Sequence, residues 1–214
     1  MSKPIVVAII TTDLRDDHRR YAEPEPSFGA APTSLLQGLK GLEGCEVHVV
    51  SCVQQPVASP SKIADNMFYH PVKIGKWGWM RGAYAGCVSA VRRKLRVIKP
   101  DVVHGQGTER YCALSAVFSG FPNVLTIHGN MRLVAAVNKA PPFSFEWLAA
   151  RLEGFTIPKS GGVVCISSYT RKAVESLARR TWMVPNAVDK TFFDTPHDTG
   201  SPPAILCLGT ICMR

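Results

Sequence analysis

Short continuous apolar runs, rich in valine and isoleucine and bounded by turn residues, constrain this chain more than any other feature. They recur as PIVVAII (4–10), CEVHVVSCV (45–53), NMFYHPVKI (66–74), DVVHGQG (101–107), NVLTIHG (123–129), GGVVCIS (161–167) and TWMVP (181–185). Runs of this kind suit strands buried on both faces, as in a parallel sheet covered by helices. Helix-period stretches separate them. Leu35, Leu39 and Leu42 fall at i, i+4 and i+7 between SFGAAPTS and Gly44, so a helix with start and stop signals is expected there. From Tyr84 to Ile98, Tyr84, Val88, Val91, Leu95 and Ile98 form one stripe, while Arg92, Arg93, Arg96 and Lys99 crowd the other side. Strands alternating with helices predict an α/β fold: a doubly wound, mainly parallel, Rossmann-like sheet.

With 214 residues, 46% of them hydrophobic, the chain can bury a sizeable core. No apolar run approaches the ~20 residues of a membrane-spanning helix. The N-terminus, MSKPIVVAIITTDLRDD, lacks the long apolar core and small-residue cleavage site of a secretory signal. Cys45, Cys52, Cys112, Cys165 and Cys207 lie within apolar segments and read as buried thiols of a reducing, cytoplasmic compartment. No C-x-x-C pair occurs, and Cys207 and Cys212 have no histidine nearby, so zinc is not expected. A net charge of +9 would attract an acidic substrate, an anionic membrane surface or nucleic acid. Aromatic residues make up only 8%, and no basic-aromatic motif of an RNA-binding sheet appears, which ranks nucleic acid last.

After TWMVPNAVDKTFF the composition changes to DTPHDTGSPP, which reads as a linker, and AILCLGTICMR then reads as a new strand. The expected organisation is a Rossmann-like domain over 1–193, a linker over 194–203, and over 204–214 the first strand of a second domain severed at its edge.

In an open parallel sheet, ligands sit beyond the carboxyl ends of the strands. After the first strand, Phe28, Gly29 and Ala30 open a helix whose free N–H groups could meet an anion, although an ordinary strand-to-helix loop has the same features. In DVVHGQGTERY, Gly105 and Gly107 give G-x-G, but Arg110 stands where a dinucleotide fingerprint has its third glycine. The next strand ends in His128 and not in an acid, so a nicotinamide cofactor is disfavoured. What remains is a tight turn presenting His104, Gly107, Thr108 and Glu109, with His104 on its own also fitting a structural role. In NVLTIHGNMR, His128 ends an apolar strand and Gly129 frees the backbone to turn, with Asn130 and Arg132 beyond. His128 is the strongest single functional candidate. Two histidines without a clear third ligand predict no metal. Ser167 or Ser168 is expected to cap a helix beginning near Tyr169, and Asn186 and Asp189 bracket a turn. HGQG also resembles the oxyanion loop of esterases, but the G-x-S-x-G elbow that fold needs is absent.

Taken in order, the early loop and helix, DVVHGQGTE, TIHG, VCISSYTR, VPNAVD and AILCLGT resemble the N-terminal half of group 1, retaining, GT-B-type glycosyltransferases, over nearly the whole chain. The most specific pieces are VPNAVD downstream of ISSYTR and the HG after a Val/Ile strand. The resemblance implies a two-domain enzyme that transfers a sugar from a nucleotide-diphosphate donor with retention and needs no metal or other cofactor. Its N-terminal half would receive a glycan, lipid-linked or small acceptor; its missing C-terminal half would hold the nucleotide-sugar. His128 would lean on the donor sugar near the reacting carbon, and the Gly29 loop would approach the phosphate and the acceptor. Asn186 and Asp189 would shape the exit to the linker.

The sequence also departs from that pattern. Phe28-Gly29-Ala30-Ala31 stands where relatives show paired glycines. The cations that hold the diphosphate, and the paired glutamates, would lie beyond Arg214, and Glu146 and Glu153 have a different spacing and different neighbours. A chain lacking those cations is expected to be nearly inert alone. The alternative is a stand-alone basic module for an anionic membrane or a phosphorylated ligand. Arg92, Arg93, Arg96 and Lys99 would then bind the anion, and Trp77, Trp79 and Met80 would supply interface-suited side chains, giving a peripheral position at the inner membrane.

Overall fold

A computed structural model describes residues 3–188 and 190–196. The order is β1 (Ile5–Ile10), α1 (Leu14–His18), α2 (Ala30–Leu39), β2 (Cys45–Val53), β3 (Lys62–Ala64), β4 (Met67–Lys73), two 3-10 turns (Lys76–Gly78 and Met80–Gly82) and α3 (Ala85–Ile98). There follow β5 (Val102–Gln106), α4 (Tyr111–Val117), β6 (Asn123–Ile127), α5 (Met131–Val137), α6 (Phe145–Thr156), a third 3-10 turn (Ile157–Lys159), β7 (Val163–Cys165), α7 (Ser168–Val174), β8 (Thr181–Met183) and α8 (Thr191–Asp194). The strands form one sheet in the order β3-β4-β2-β1-β5-β6-β7-β8. Every pairing is parallel except β3 with β4. The chain therefore has the doubly wound, Rossmann-like fold, and its order reverses between β1 and β5, where such sheets open a crevice.

Each apolar run of the sequence supplies a strand. The short β3 has no such run behind it. It is an antiparallel edge strand with a register shift and an exposed lysine, Lys62, both features that blunt a free edge. Alternate residues of the strands feed opposite layers. Ala8, Ile10, Val50, Cys52, Val103 and Leu125 meet Val91 and Leu95 of α3 and Leu114 of α4. Ile9, Val47, Val49, Met67 and Tyr69 face Leu36 of α2. Beside β6, Ile127, Val163 and Cys165 pack with Ile157 and with Val174 of α7.

Three local expectations change. The helix expected to run through Leu42 stops at Leu39, and Leu42 is exposed, because Lys40 already leaves helical geometry. The basic helix begins at Ala85; Tyr84 is its cap, in the left-handed region at φ 61°. Trp79 is only partly exposed: its ring meets that of Tyr111 edge-on at 5.9 Å and packs against the α3–α4 core, leaving the rest of it on the wall of a cavity. Trp77 and Met80 do remain exposed, and so do Arg92, Arg93, Arg96 and Lys99. Cys52, Cys87, Cys112 and Cys165 are buried free thiols, and Cys45 is partly covered. Among the described residues, no helix is long and apolar enough to cross a membrane. Asp189, residues 197–203 of the expected linker, and the expected strand at 204–214 with Cys207 and Cys212 lie outside the described residues.

Candidate functional site

The chain leaves β1 through a segment fixed by a buried ion pair. Asp13 caps α1 and accepts from the Arg15 guanidinium at 2.6 Å, with both side chains fully buried. The Tyr69 hydroxyl donates to the same carboxylate at 2.6 Å, and Arg15 Nη1 donates to the Glu23 carbonyl at 2.6 Å, closing the loop back on itself. Burial alone would raise the Asp13 carboxyl, but hydrogen bonds from Arg15 and Tyr69 outweigh it and hold it below the usual range. Next to it, Asp16 accepts from the Gln54 backbone N–H at 2.7 Å and from its side-chain amide at 3.0 Å, tying the loop to the end of β2.

Across the switch point, β5 and β6 carry a polar row on one face. His104 Nε2 lies 2.6 Å from Thr126 Oγ1 and 3.1 Å from Gln106 Nε2, and Gln106 Oε1 lies 2.9 Å from His128 Nε2. The orientation of the Gln106 amide is linked to the tautomers of both histidines. With its oxygen facing His128, its nitrogen donates to His104, whose Nε2 is then unprotonated and also lies within hydrogen-bond distance of the Thr126 hydroxyl. His104 is accordingly pushed down to about 4, by burial and then by the neighbouring His128. His128 is also lowered, by burial, with the Glu109 carboxylate and the Asn186 side chain acting in the opposite sense.

His128 Nε2 is thus occupied; its Nδ1 makes no hydrogen bond of good geometry, although the Asn186 side chain lies close to the ring, and Glu109 Oε2 and Asn130 Nδ2 are likewise buried and unpaired. Buried polar atoms left unpaired are rare and call for a reason. Glu109 follows the tight turn at Gly107, against which its carboxylate lies. Gly107 adopts φ +87°, so the turn needs a glycine for its angle; a Cβ on it would meet only the movable end of the Glu109 side chain, at 2.7 Å. Gly105 serves packing instead: a Cβ there would crowd the Cys112 carbonyl and Ala116 of α4.

Between the β1 loop and the β5 turn lies a cavity of about 290 Å³ lined by Thr12, Asp17, Gln106, Glu109, Arg110 and Phe145, among others. It brings Glu109 and Gln106 to one opening; His128 is bonded to Gln106 but is not itself among the lining residues. Other expected site residues go elsewhere. The Thr108 hydroxyl donates at 2.8 Å to Glu153, a fully buried carboxylate on α6 that also accepts from the backbone N–H groups of Met131 and Arg132 at 2.9 and 3.2 Å. Thr108 therefore supports the turn, and the Arg132 side chain lies along α6 with Arg151 and Phe155. Asn130 caps α5 through Oδ1, which accepts from Leu133 N at 3.1 Å; Gly129 is exposed. Phe28 packs edge-on against Tyr69 at 5.9 Å and lines a different cavity, between α2 and β3. Gly29 caps α2 at φ −60° with room for a Cβ, and Ala30 is exposed. The described cavities do not join Phe28, Gly29 or Ala30 to the His128 rim.

Sequence reasoning missed the parts that hold the site: Gln106, Glu153 and the Asp13–Arg15 pair. Glu153 had a visible signal, an acid in the apolar stretch WLAARLEGF, but its partners are distant in sequence. Ser167 does cap its helix, with its hydroxyl accepting from Thr170 N at 3.2 Å. Among the described residues no group of three or more histidine, cysteine or acidic side chains is arranged to hold a metal.

The family described as Glycosyltransferase Family 4 matches residues 33–192. No curated protein matches the sequence. Among solved structures, sucrose-phosphate synthase from Thermosynechococcus elongatus aligns with a TM-score of 0.58 at 13% identity, covering 90% of this chain and 53% of its own. A UDP-N-acetylglucosamine 2-epimerase aligns at 0.54 and 13% identity, covering 94% and 53%. A UDP-glucose: anthocyanidin 3-O-glucosyltransferase in complex with UDP aligns at 0.51 and 10% identity, covering 94% and 56%. At these identities the likeness is one of fold, and the chain spans about half the length of the structures it matches.

Proposed function

The chain belongs to Glycosyltransferase Family 4, and from that premise we propose that it is the acceptor-binding half of a GT-B enzyme that moves a sugar from a nucleotide-diphosphate sugar to a glycan, lipid-linked or small acceptor with retention. The observation that carries this reading is that, of the buried polar atoms left unpaired, His128 Nδ1, Glu109 Oε2 and Asn130 Nδ2 all belong to the segments that follow the carboxyl ends of β5 and β6. They supply two acceptors and one donor, the complement of sugar hydroxyls, which both give and take hydrogen bonds. With Nε2–H held by Gln106, neutral His128 offers its Nδ1 lone pair to a hydroxyl of the donor sugar beside the reacting carbon. In the transfer, the anomeric carbon–phosphate oxygen bond breaks, a bond to the acceptor oxygen forms on the same face, and the acceptor proton passes to the departing diphosphate. The cations that steady that diphosphate are assigned to a following domain, so this chain alone is expected to turn over no donor. No cofactor is assigned beyond the nucleotide-sugar, taken as substrate, and a cytoplasmic location goes with that substrate.

The test incubates the full gene product with a panel of nucleotide-diphosphate sugars and follows nucleoside diphosphate release and product anomer by NMR. Release from one donor, with the product keeping the donor's anomeric configuration, is expected. Inversion would remove the retaining assignment; no release from any donor would remove the transferase reading.

A second reading rests on the α3 surface. Arg92, Arg93, Arg96 and Lys99 are exposed, and among the described ion pairs none involves them; Val97 beside them is 77% exposed and Trp77 is 74% exposed. This face suits an anionic membrane surface. Sedimentation with anionic vesicles, lost with neutral vesicles, would support it; equal sedimentation with both would remove it.

A further inference from the structure

Beside the crevice, and sharing Asp17, Arg110 and Phe145 with it, lies a second cavity of about 390 Å³. That volume falls in the range of small-ligand clefts, about 300–1,000 Å³. It opens beyond the carboxyl ends of β1 and β2, under the turns that precede α3. Its walls combine flat or polarizable apolar surface, from Trp79, Met80, Tyr84 and Phe145, with charge.

The charges are not equivalent. Asp16 is spent on Gln54, and Asp17 is paired with Arg110 at 2.9 Å. Lys76 and Arg81 are exposed and have no ion-pair or hydrogen-bond partner among the described residues. The uncommitted charge of the cavity is therefore positive. The fold holds these groups in place. Trp79 donates from Nε1 to the Ile74 carbonyl at 3.3 Å, and Ala83 and Tyr84 both adopt left-handed angles, φ 48° and 61°, with the Tyr84 ring buried against Tyr111. Consecutive left-handed non-glycine residues are costly and are retained where the surroundings fix them, often at ligand clamps. Directly after Tyr84, α3 begins with no side chain capping its first turn, which adds partial positive charge to the same wall.

We propose that this cavity is the acceptor subsite and that it selects an acceptor glycoside carrying an anionic group, a carboxylate or a phosphate. The inference rests on the acceptor-binding reading above and deepens it. The apolar C–H face of a sugar ring lies on Trp79 and Phe145, its anion meets Arg81 and Lys76, and the shared Arg110–Asp17 wall leads its free hydroxyl toward the His128 rim. A neutral glycoside would leave the two cations without a partner. Binding of the anionic one weakens with added salt, because the cations are exposed.

The experiment titrates the 214-residue chain, without donor, with methyl glucuronide, glucose 6-phosphate and methyl glucoside, and follows amide and indole N–H shifts by NMR. Anionic glycosides are expected to shift the Trp79 indole and the amides of residues 81–87, about fivefold more tightly than methyl glucoside. Arg81→Ala should remove that preference, and Arg93→Ala should not. The carboxylate and phosphate arms show which anion is read. Equal binding of charged and neutral glycosides at these residues would overturn the anionic selection while leaving the acceptor reading standing. Shifts confined to residues outside the cavity, or none at all, would overturn the subsite. Because no donor is present, neither result depends on the transferase assay.

Discussion

At the residue scale, two buried carboxylates determine whether the rim keeps its shape. Glu153 gathers three donors from two segments, Thr108 from the β5 turn and the first N–H groups of α5. Removing it strands those donors in a water-poor interior, which costs each of them more than the net value of a hydrogen bond. Glu153→Ala is predicted to lower stability by about 3 kcal/mol, measured by urea unfolding, and to shift the amide resonances of Thr108 and Asn130. A variant within a few tenths of the parent would show that Glu153 does not bind the two segments together. Asp13 presents a different case, because its loss leaves Arg15 buried and unpaired. Asp13→Ala is predicted to cost about 3–5 kcal/mol, whereas replacing Asp65, the exposed partner of Lys62, should change little. Both carboxylates eluded the sequence for one reason. Asp13 reads as a helix cap, and Glu153 as a helix face, until Tyr69 and Thr108 arrive from distant parts of the chain. His128 was legible because its place is set locally: the carboxyl end of an apolar parallel strand is where the crevice opens, so an imidazole there reaches the rim without help from distant segments.

At the element scale, every strand but the short β3 was legible, and the turns that precede α3 were not. Valine-rich runs report burial on both faces, a local property that survives folding. The register that carries Lys76–Gly82 against α3 depends on a contact invisible in either segment: a Cβ on Gly86 would collide with the backbone of Gly78, so both positions must be glycine for the turn to reach the helix. Gly86→Ala is predicted to destabilise by about 1–3 kcal/mol and to displace the Trp79 indole resonance, while Gly38→Ala, which meets nothing within 4 Å in the middle of α2, should be neutral or stabilising. An unshifted Trp79 signal in Gly86→Ala would mean that the turn and helix are not in this contact. The α2 boundary shows the converse error. The leucine period continued to Leu42, but Lys40 had already left helical geometry, and periodicity alone does not register where a helix stops.

At the scale of the whole molecule, the same burial that assembles the rim sets the response to acid. His70 and His104 are each pushed down to about 4, first by burial, with His48 and Lys94 adding to it at His70 and His128 at His104. Both are neutral when folded and take up a proton near pH 6.5 when unfolded, so their contribution is complete above that pH and is lost as the pH falls from about 6.5 to about 4. Asp13, held below the usual carboxylate range, adds a contribution present above about pH 4 and lost as the pH falls further. Unfolding midpoints should therefore fall steadily from about pH 6.5 downward, and a midpoint independent of pH across that window would contradict the buried, neutral histidines.

The proposed function rests on one group, the His128 imidazole, whose Nε2 lies 2.9 Å from Gln106 Oε1 and whose Nδ1 has no hydrogen-bond partner of good geometry. Its most direct test is steady-state transfer by the full gene product carrying His128→Asn, with thermal unfolding as a check that the fold is kept. The account predicts a loss of about a hundredfold or more in kcat/KM, carried mainly by kcat. A folded variant with kcat/KM equal to the parent would contradict it.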